Sequence, residues 1–503
     1  MKLIRFSTSV LAISLLAACG DDDTTPSDDA SSVEDTSDAT SGGDTTDTDS
    51  ATNDGGTDTI DTTDTSTPDD IVPDDGVAVD TTPDDTSTPD ADDATDDTTT
   101  PDAGDTTSDD ATDADDTDAG ESDCDPDATP FGGTEDAAGM TFNLVCSPVH
   151  LDNIRTEPTG NFLQTADIEL TGTWTPIPEF QGSLVGSGDH VISGLSIESP
   201  DADTNNYAFI QFLTNGGSLQ SLRFDDVVFT GHHGAPIVSI VRNQLETDLG
   251  KPQGITPVSV LDVAVRATIN VSDGQVGGIF RAIQAGSLVE DVSFHGNILA
   301  TDDFINGDAN VGGISWRLSD ARLNRAYVDA QITLPDHRYV AGMVVEATGE
   351  YEIDEAVVEG NVTGESYVGG LAATLNDEGT VTNARVSAPI NANADAGGIA
   401  QACSGLIANS YTAIFTPNEG ETLTVDALCY NFAEEAGVAG LAYSDTFSNG
   451  GTIVEPVTAV SDVDMRSGTA VSPFDTYNSD LWVFTAGNLP LLAFESDVYD
   501  WEE

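Results

Sequence analysis

Basic residues are the first thing this 503-residue chain is short of: 14 Lys and Arg stand against 90 Asp and Glu, a net charge of −76. Nucleic acid and anionic lipid are both read by basic patches, so no nucleic-acid partner is expected. Cysteine is scarce as well, at five residues, and no Cys-x-x-Cys pair occurs. Nor is there a His-Glu-x-x-His, a Gly-x-Ser-x-Gly, or a Gly-rich phosphate loop ending in Lys. No metal site, no cofactor and no catalytic residue is therefore predicted from motifs. The one long apolar run, Val10 to Ala18, is too short to span a bilayer, and no stretch keeps a helical period. Between Asp21 and Asp123 there is no aromatic residue, no Lys and no Arg.

What is present begins with an address. Lys2 and Arg5 precede the apolar run in the order of an export signal, predicted over residues 1–18. Leu16-Ala17-Ala18-Cys19 resembles the lipobox of bacterial lipoproteins. That resemblance implies cleavage before Cys19, a lipid on Cys19, and a membrane partner through that lipid. Gly20, where the family places Asp for inner-membrane retention, implies the outer membrane, with the cell surface as the expected side and the periplasmic face as the alternative. Residues 19–123 then read as a disordered acidic linker. The stretch from Asp21 holds 37 of the 90 acids among Thr, Ser, Pro, Ala and Gly, too little apolar surface to offset the entropy of ordering. A neutral flexible chain of this length would span about 55 Å, and like-charge repulsion extends it. Runs such as Asp113-Ala114-Asp115-Asp116 miss the spacing of a calcium loop.

Residues 124–503 carry 53 acids against 12 bases. Four cysteines remain in an exported, oxidising compartment, and neighbours Cys124/Cys146 and Cys403/Cys429 are the simplest of three possible pairings. A short pattern recurs: Val276-Gly277-Gly278-Ile279, Val311-Gly312-Gly313-Ile314, Val340-Ala341-Gly342-Met343, Val368-Gly369-Gly370-Leu371, Ala396-Gly397-Gly398-Ile399 and Val438-Ala439-Gly440-Leu441, with weaker copies around Ile210 and Ile237. The last residues of the copies lie 27, 42, 35, 29, 28, 28 and 42 apart, a unit of about 28 with insertions in three copies. Each unit also alternates apolar and polar residues, as in Leu288-Val289-Glu290-Asp291-Val292-Ser293-Phe294, which predicts short strands. Such a unit cannot close a core alone, whereas stacked units bury one apolar column. The expected fold is all-β, a right-handed parallel β-helix (β-solenoid) with terminal caps behind the disordered acidic linker. An antiparallel sandwich or a propeller is the alternative. Glycine pairs suit close backbone approach or positive φ.

The Gly-Gly-aliphatic marker followed by an alternating strand resembles the GLUG-motif repeats of bacterial surface proteins. Phe162 to Ile177, with Phe180-Gln181-Gly182 and His190 to Leu195, is similar to the entry module before such repeats. The family's Asp-Gly-x-Gly-His turn stands here as Val185-Gly186-Ser187-Gly188-Asp189-His190, so no role for its first Asp carries over. Trp482-Val483-Phe484 with Leu489-Pro490-Leu491-Leu492 resembles the family's closing tail. The expected division is an N-terminal cap and entry module over 124–200, repeats over 201–445 and a C-terminal cap over 446–503. Ser147-Pro148 predicts a short capping helix, with Cys124/Cys146 as its staple. Cys403/Cys429 is expected to tie down the long excursion between Ile399 and Leu441.

Parallel β-helices include polysaccharide hydrolases and lyases. Asp225-Asp226 with Gly231-His232-His233-Gly234 superficially resembles a polygalacturonase set, but those groups belong a repeat apart and here lie too close in sequence. Arg266, Arg281, Arg317, Arg322, Arg325, Arg338 and Arg385 read as solvated or ion-paired, and His150, His190, His295 and His337 as turn or surface residues. Recognition is expected on the insertions that interrupt adjacent units, 243–254 and 301–310. Asn243, Asp248, Asp302, Phe304 and Asn306 there, with Trp316 and Tyr339 nearby, suit a neutral glycan. The leading expectation is a non-enzymatic envelope lipoprotein for adhesion or recognition of cell-surface or glycan ligands. A carbohydrate-active enzyme and a structural envelope component are the alternatives.

Overall fold

The computed structural model describes residues 124–137, 139–186, 190–200, 206–243, 257–301, 309–376, 379–413, 425–426, 428–433, 437–444 and 457–501. The chain divides into two units, Met1–Ser108 and Asp109–Glu503, and all described residues lie in the second. Cys19 and the acidic linker lie outside the described residues, as do Asp248, Asp302, Phe304 and Asn306.

The described fold is all-β, with helices confined to short segments such as Pro148–Asn153 and Asp462–Met465. None is long and apolar enough to cross a membrane. Each central repeat gives one strand to each of three sheets. In one repeat these are Asn310–Gly312, Ser315–Ser319 and Arg322–Thr333. The middle strands build an eight-stranded sheet from Ile210–Thr214 to Cys429–Phe432, in which every neighbour is parallel and comes from the next repeat. A six-stranded sheet of two- and three-residue strands and a sheet of long strands follow the same order. Among the described residues antiparallel pairing is limited to the hairpin Thr134–Ala137 with Met140–Val145 and to Trp482–Val483 with Leu491–Leu492.

Alternation puts like residues above like. Val276, Val311, Val340 and Val368 stack in one inward column, and Ile279, Ile314, Met343, Leu371 and Ile399 in another, all fully buried. Each such Ile or Leu stabilises the stack by about 1.5–3 kcal/mol relative to exposure. The second glycine of each marker sits where a Cβ would collide with the carbonyl of its counterpart one repeat on, Gly278 against Gly313, Gly313 against Gly342, Gly342 against Gly370 and Gly370 against Gly398. Backbone approach, and not positive φ, selects glycine there.

Positive φ occurs at a different corner. Ser221, Asp262, Asp291, Arg325, Glu355, Asn383 and Asn409 all have φ between 47° and 56° and occupy equivalent register positions, bending the long strands in each repeat. Gly440, at φ 58°, continues this column, because Ile407 pairs with Val438 and Ala408 with Ala439. Val438-Ala439-Gly440-Leu441 is therefore not a copy of the Gly-Gly marker. The counterpart of Ala396-Gly397 is Val425–Asp426, and Leu428 takes the place of Ile399, 29 residues on instead of 42. The match was one of composition, with glycine serving a bend instead of a close approach.

Both disulfides, Cys124–Cys146 and Cys403–Cys429, are present. The second is more than a tie for a loop: it joins neighbouring strands of the eight-stranded sheet inside the core, its sulfurs nearly inaccessible. At the N-terminal end Ser147 caps the helix Pro148–Asn153 by accepting from the His150 N–H at 3.3 Å, with Pro148 in the first turn. Strand Met140–Val145 pairs in parallel with Asn161–Gln164 and begins the stack.

After Val457–Val460 the chain turns back along the outer side of the long-strand sheet instead of only closing its end. Tyr477 donates to Gly440 O at 2.7 Å, Trp482 to Asn383 Oδ1 at 3.2 Å, and Tyr411 to Pro490 O. Further back, Trp501 lies 5.1 Å from the Arg266 guanidinium and Tyr499 lies 4.9 Å from that of Arg223. Phe474, Tyr477, Trp482, Leu492 and Phe494 pack on Val357 and Tyr411 in a hydrophobic cluster separate from the main core. Val357 and Val358 illustrate how: one faces this cluster, the next faces the core.

Candidate functional site

Positive charge is the scarce resource on this surface. On the long-strand sheet each arginine finds a carboxylate. Arg223 binds Asp262 at 2.6 Å, Arg266 grips both oxygens of Asp225 at 2.5 and 2.6 Å, and Arg325 does the same to Asp291 while reaching Glu290 at 2.5 Å. Arg385 is the deepest, 2% exposed, between Glu359 at 2.6 Å and Glu495 at 2.5 Å. Burial pushes Glu495 upward, whereas for Glu359 the attraction of Arg385 and bonds from Tyr327 and Arg385 outweigh burial and lower it. That contrast follows their surroundings, because Glu495 is sealed under the C-terminal segment and Glu359 is about one third exposed.

The outward face of the eight-stranded sheet differs. Arg281 and Trp316 share its outer side, and two guanidinium groups approach the Trp316 ring, Arg281 at 5.4 Å and Arg317 at 5.7 Å. Arg281 is 9% exposed, yet its partners are neutral: Asn206 Oδ1 at 2.8 Å and Gln275 Oε1 at 2.5 Å. Burial pushes it down to about 10. Arg242 stacks over Phe212 at 5.1 Å and has no carboxylate partner among the described residues. On the adjoining short-strand sheet Tyr339 and Tyr367 stack at 4.8 Å, with Arg338 above both rings. Tyr367 holds φ at 53°, an uncommon conformation for an aromatic residue. A cleft of about 400 Å³ opens beside these groups, lined by Arg242, Asn243, Gln284, Arg317, Ser319 and Asp320.

The structure thus brings Asn243 and Trp316 to one sheet. Arg242, Gln284 and Tyr367 were not singled out from the sequence. Their only signal is register, since Arg242 and Gln284 take the last outward position of neighbouring strands.

Asp225 is held by Arg266, and His232 meets Asp273 at 2.9 Å, so the superficially hydrolase-like set is divided among separate partners. His150 and His337 are fully buried, not surface residues. His150 accepts from the Cys146 N–H at 3.3 Å and bonds Ala128 O at 2.8 Å. It also lies against the Cys124–Cys146 sulfurs, but a disulfide leaves that trio no thiolate for a metal. His295 lies between Tyr327 and Trp501, and burial lowers its pKa. His190 is the exposed one, 3.5 Å from Asp167.

No family model and no curated protein matches the chain. Among solved structures, a candidate immunoglobulin A1 protease from Bacteroides ovatus matches 70% of this chain and 92% of its own length at 14% identity and a TM-score of 0.36. A structure titled IgA1 Protease matches 63% of this chain at 14% identity and a TM-score of 0.37, and only 23% of that protein is covered. At such scores neither likeness bears on fold or activity.

Proposed function

We propose that this chain is an outer-membrane lipoprotein, anchored through Cys19, whose acidic linker displays a right-handed parallel β-helix of GLUG type at the cell surface for recognition of a glycan or other cell-surface ligand. Handedness is supported by the general rule that parallel strands of one sheet are joined by right-handed crossovers. The observation that carries the recognition role is the pair of outward faces holding Trp316 and the Tyr339/Tyr367 stack among Arg242, Arg281, Arg317 and Arg338. Aromatic rings and guanidinium groups on the adjoining outward faces of these two sheets are the side chains that dominate binding surfaces. Protease treatment of intact and lysed cells tests the address, and a glycan array probed with the full chain tests the role. Release of the repeat unit from intact cells, with array binding lost in Trp316→Ala, is the expected result. Protection until lysis would exclude surface display.

One observation favours a carbohydrate-active enzyme instead. Carboxylates on nearby repeats meet at one corner, Glu290 and Asp291 on one and Asp354 and Glu355 on another, and burial followed by Asp354 raises Glu355. A carboxyl group raised by burial beside other acidic side chains is the arrangement of a general acid. Arg325 already neutralises Asp291 and Glu290, however, which also suits an ion-paired structural corner. Release of reducing ends from a polysaccharide panel, abolished by Glu355→Gln, would establish the enzymatic reading.

A further inference from the structure

We infer that the cleft at Arg242 and Arg317 binds the carboxylates of an acidic glycan, a polyuronate, an inference that rests on the proposed recognition role and specifies its ligand class. Three atoms of the cleft-lining residues are buried without a hydrogen-bond partner: Arg242 Nε, Asn243 Oδ1 and Arg317 Nε. Leaving such groups unmatched costs free energy, and guanidinium N–H groups are matched best by a carboxylate. Arg317 Nε is 3.5 Å from Glu346 Oε2, close enough for attraction but not aligned for a hydrogen bond. Asp320, the acid lining the cleft, has Oδ1 occupied by the Glu350 N–H at 3.0 Å. Among the described residues Arg242 has a ring beneath it and no acid beside it.

In a chain of net charge −76 such a group is unusual, because acids are abundant everywhere else. The overall charge repels a polyanion at long range, but at physiological salt the field of exposed charges fades over about 8 Å, so a docked carboxylate responds mainly to the groups lining the cleft. The sugar part of the ligand is indicated by the rest of the face. Asn243, Gln284 and Ser319 offer neutral donors and acceptors for hydroxyl groups, and Trp316 stands beside Arg317 as a flat apolar surface for a pyranose ring. An acidic peptide would use the arginines and leave the ring and amides idle.

Equilibrium binding of the full chain to oligogalacturonate, to neutral oligosaccharides of similar length and to polyglutamate decides the matter. Oligogalacturonate should bind in preference to both others, and Arg242→Ala should weaken it about tenfold or more, the effect of one charge-assisted hydrogen bond. Arg242→Lys, which keeps charge but loses the fork, should fall between. Arg322→Ala, removing an exposed ion pair with Glu352 on the long-strand sheet, should leave binding unchanged. Unchanged unfolding midpoints confirm that the variants fold. Equal binding of polyglutamate, or indifference to Arg242→Ala, would overturn the inference. Neutral oligosaccharide bound through Trp316, with no preference for oligogalacturonate, would overturn it while leaving the recognition role standing. Failure to bind any carbohydrate removes glycan recognition as well.

Discussion

The two outer faces of the stack are built from the same repeats but treat charge in opposite ways. On the long-strand side Arg223, Arg266, Arg325 and Arg385 each hold an acid, and the C-terminal segment lays Trp482, Glu495, Tyr499 and Trp501 over them. On the eight-stranded side, among the described residues, Arg281 has only neutral partners, Arg242 only a ring, and Arg317 a single acid, Glu346, at 3.5 Å. Where the C-terminal segment excludes water, as over Arg385 and Glu495, the charges must be satisfied internally. A face left with unmatched guanidinium groups keeps its attraction for something outside the chain.

Removing Arg385 should be the most damaging change, since Arg385→Ala strands Glu495 beneath the C-terminal segment and leaves Glu359 without its cation. A loss of about 3–5 kcal/mol is expected in denaturant unfolding; a loss below 1 kcal/mol would mean that the segment is not held by this pair. Replacing Cys403 and Cys429 together by Ser opens a 26-residue separation and should cost about 3 kcal/mol, read from the same titration on oxidised protein. A pH effect follows from His233, His295 and His337, all lowered by burial from the usual 6.5. Their neutral forms are favoured in the folded state, so stability is full above 6.5 and declines as pH falls through the folded values. Thermal melts between pH 8 and pH 5 should show this decline, smaller in His295→Gln if the C-terminal segment is what buries that ring. Glu355→Asn at φ 51° should stabilise by about 1 kcal/mol, because Asn accepts the left-handed conformation more readily. Smallest of all, Arg242→Ala should shift stability by less than about 0.5 kcal/mol, and a cost near that of Arg385→Ala would erase the distinction between the faces.

How much of this was legible beforehand varies by residue. The glycine column at Gly278, Gly313, Gly342, Gly370 and Gly398 was visible because every repeat faces the same collision at the same place. Ser147 and Pro148 announced their helix for a reason confined to one turn. Gly440 misled, since a glycine at a left-handed bend and one at a close approach look alike in text. Arg385 with Glu495, 110 positions apart, carried no local mark at all. The same holds for the proposed binding face, where Asn243 and Trp316 were visible as polar and aromatic residues near insertions but Arg242 was not.

By itself, then, the sequence determined the all-β character, the alternation that assigns each residue to core or surface, and the positions that admit no Cβ. These follow from steric and solvation rules acting within a few residues or at a fixed interval. Only the tertiary structure decided which repeat strand 438–444 extends, where the C-terminal segment lies, and which arginines are left without an acid. Those outcomes depend on register and on the path of the chain through space, because whether a charge is matched is settled by neighbours that local pattern does not encode.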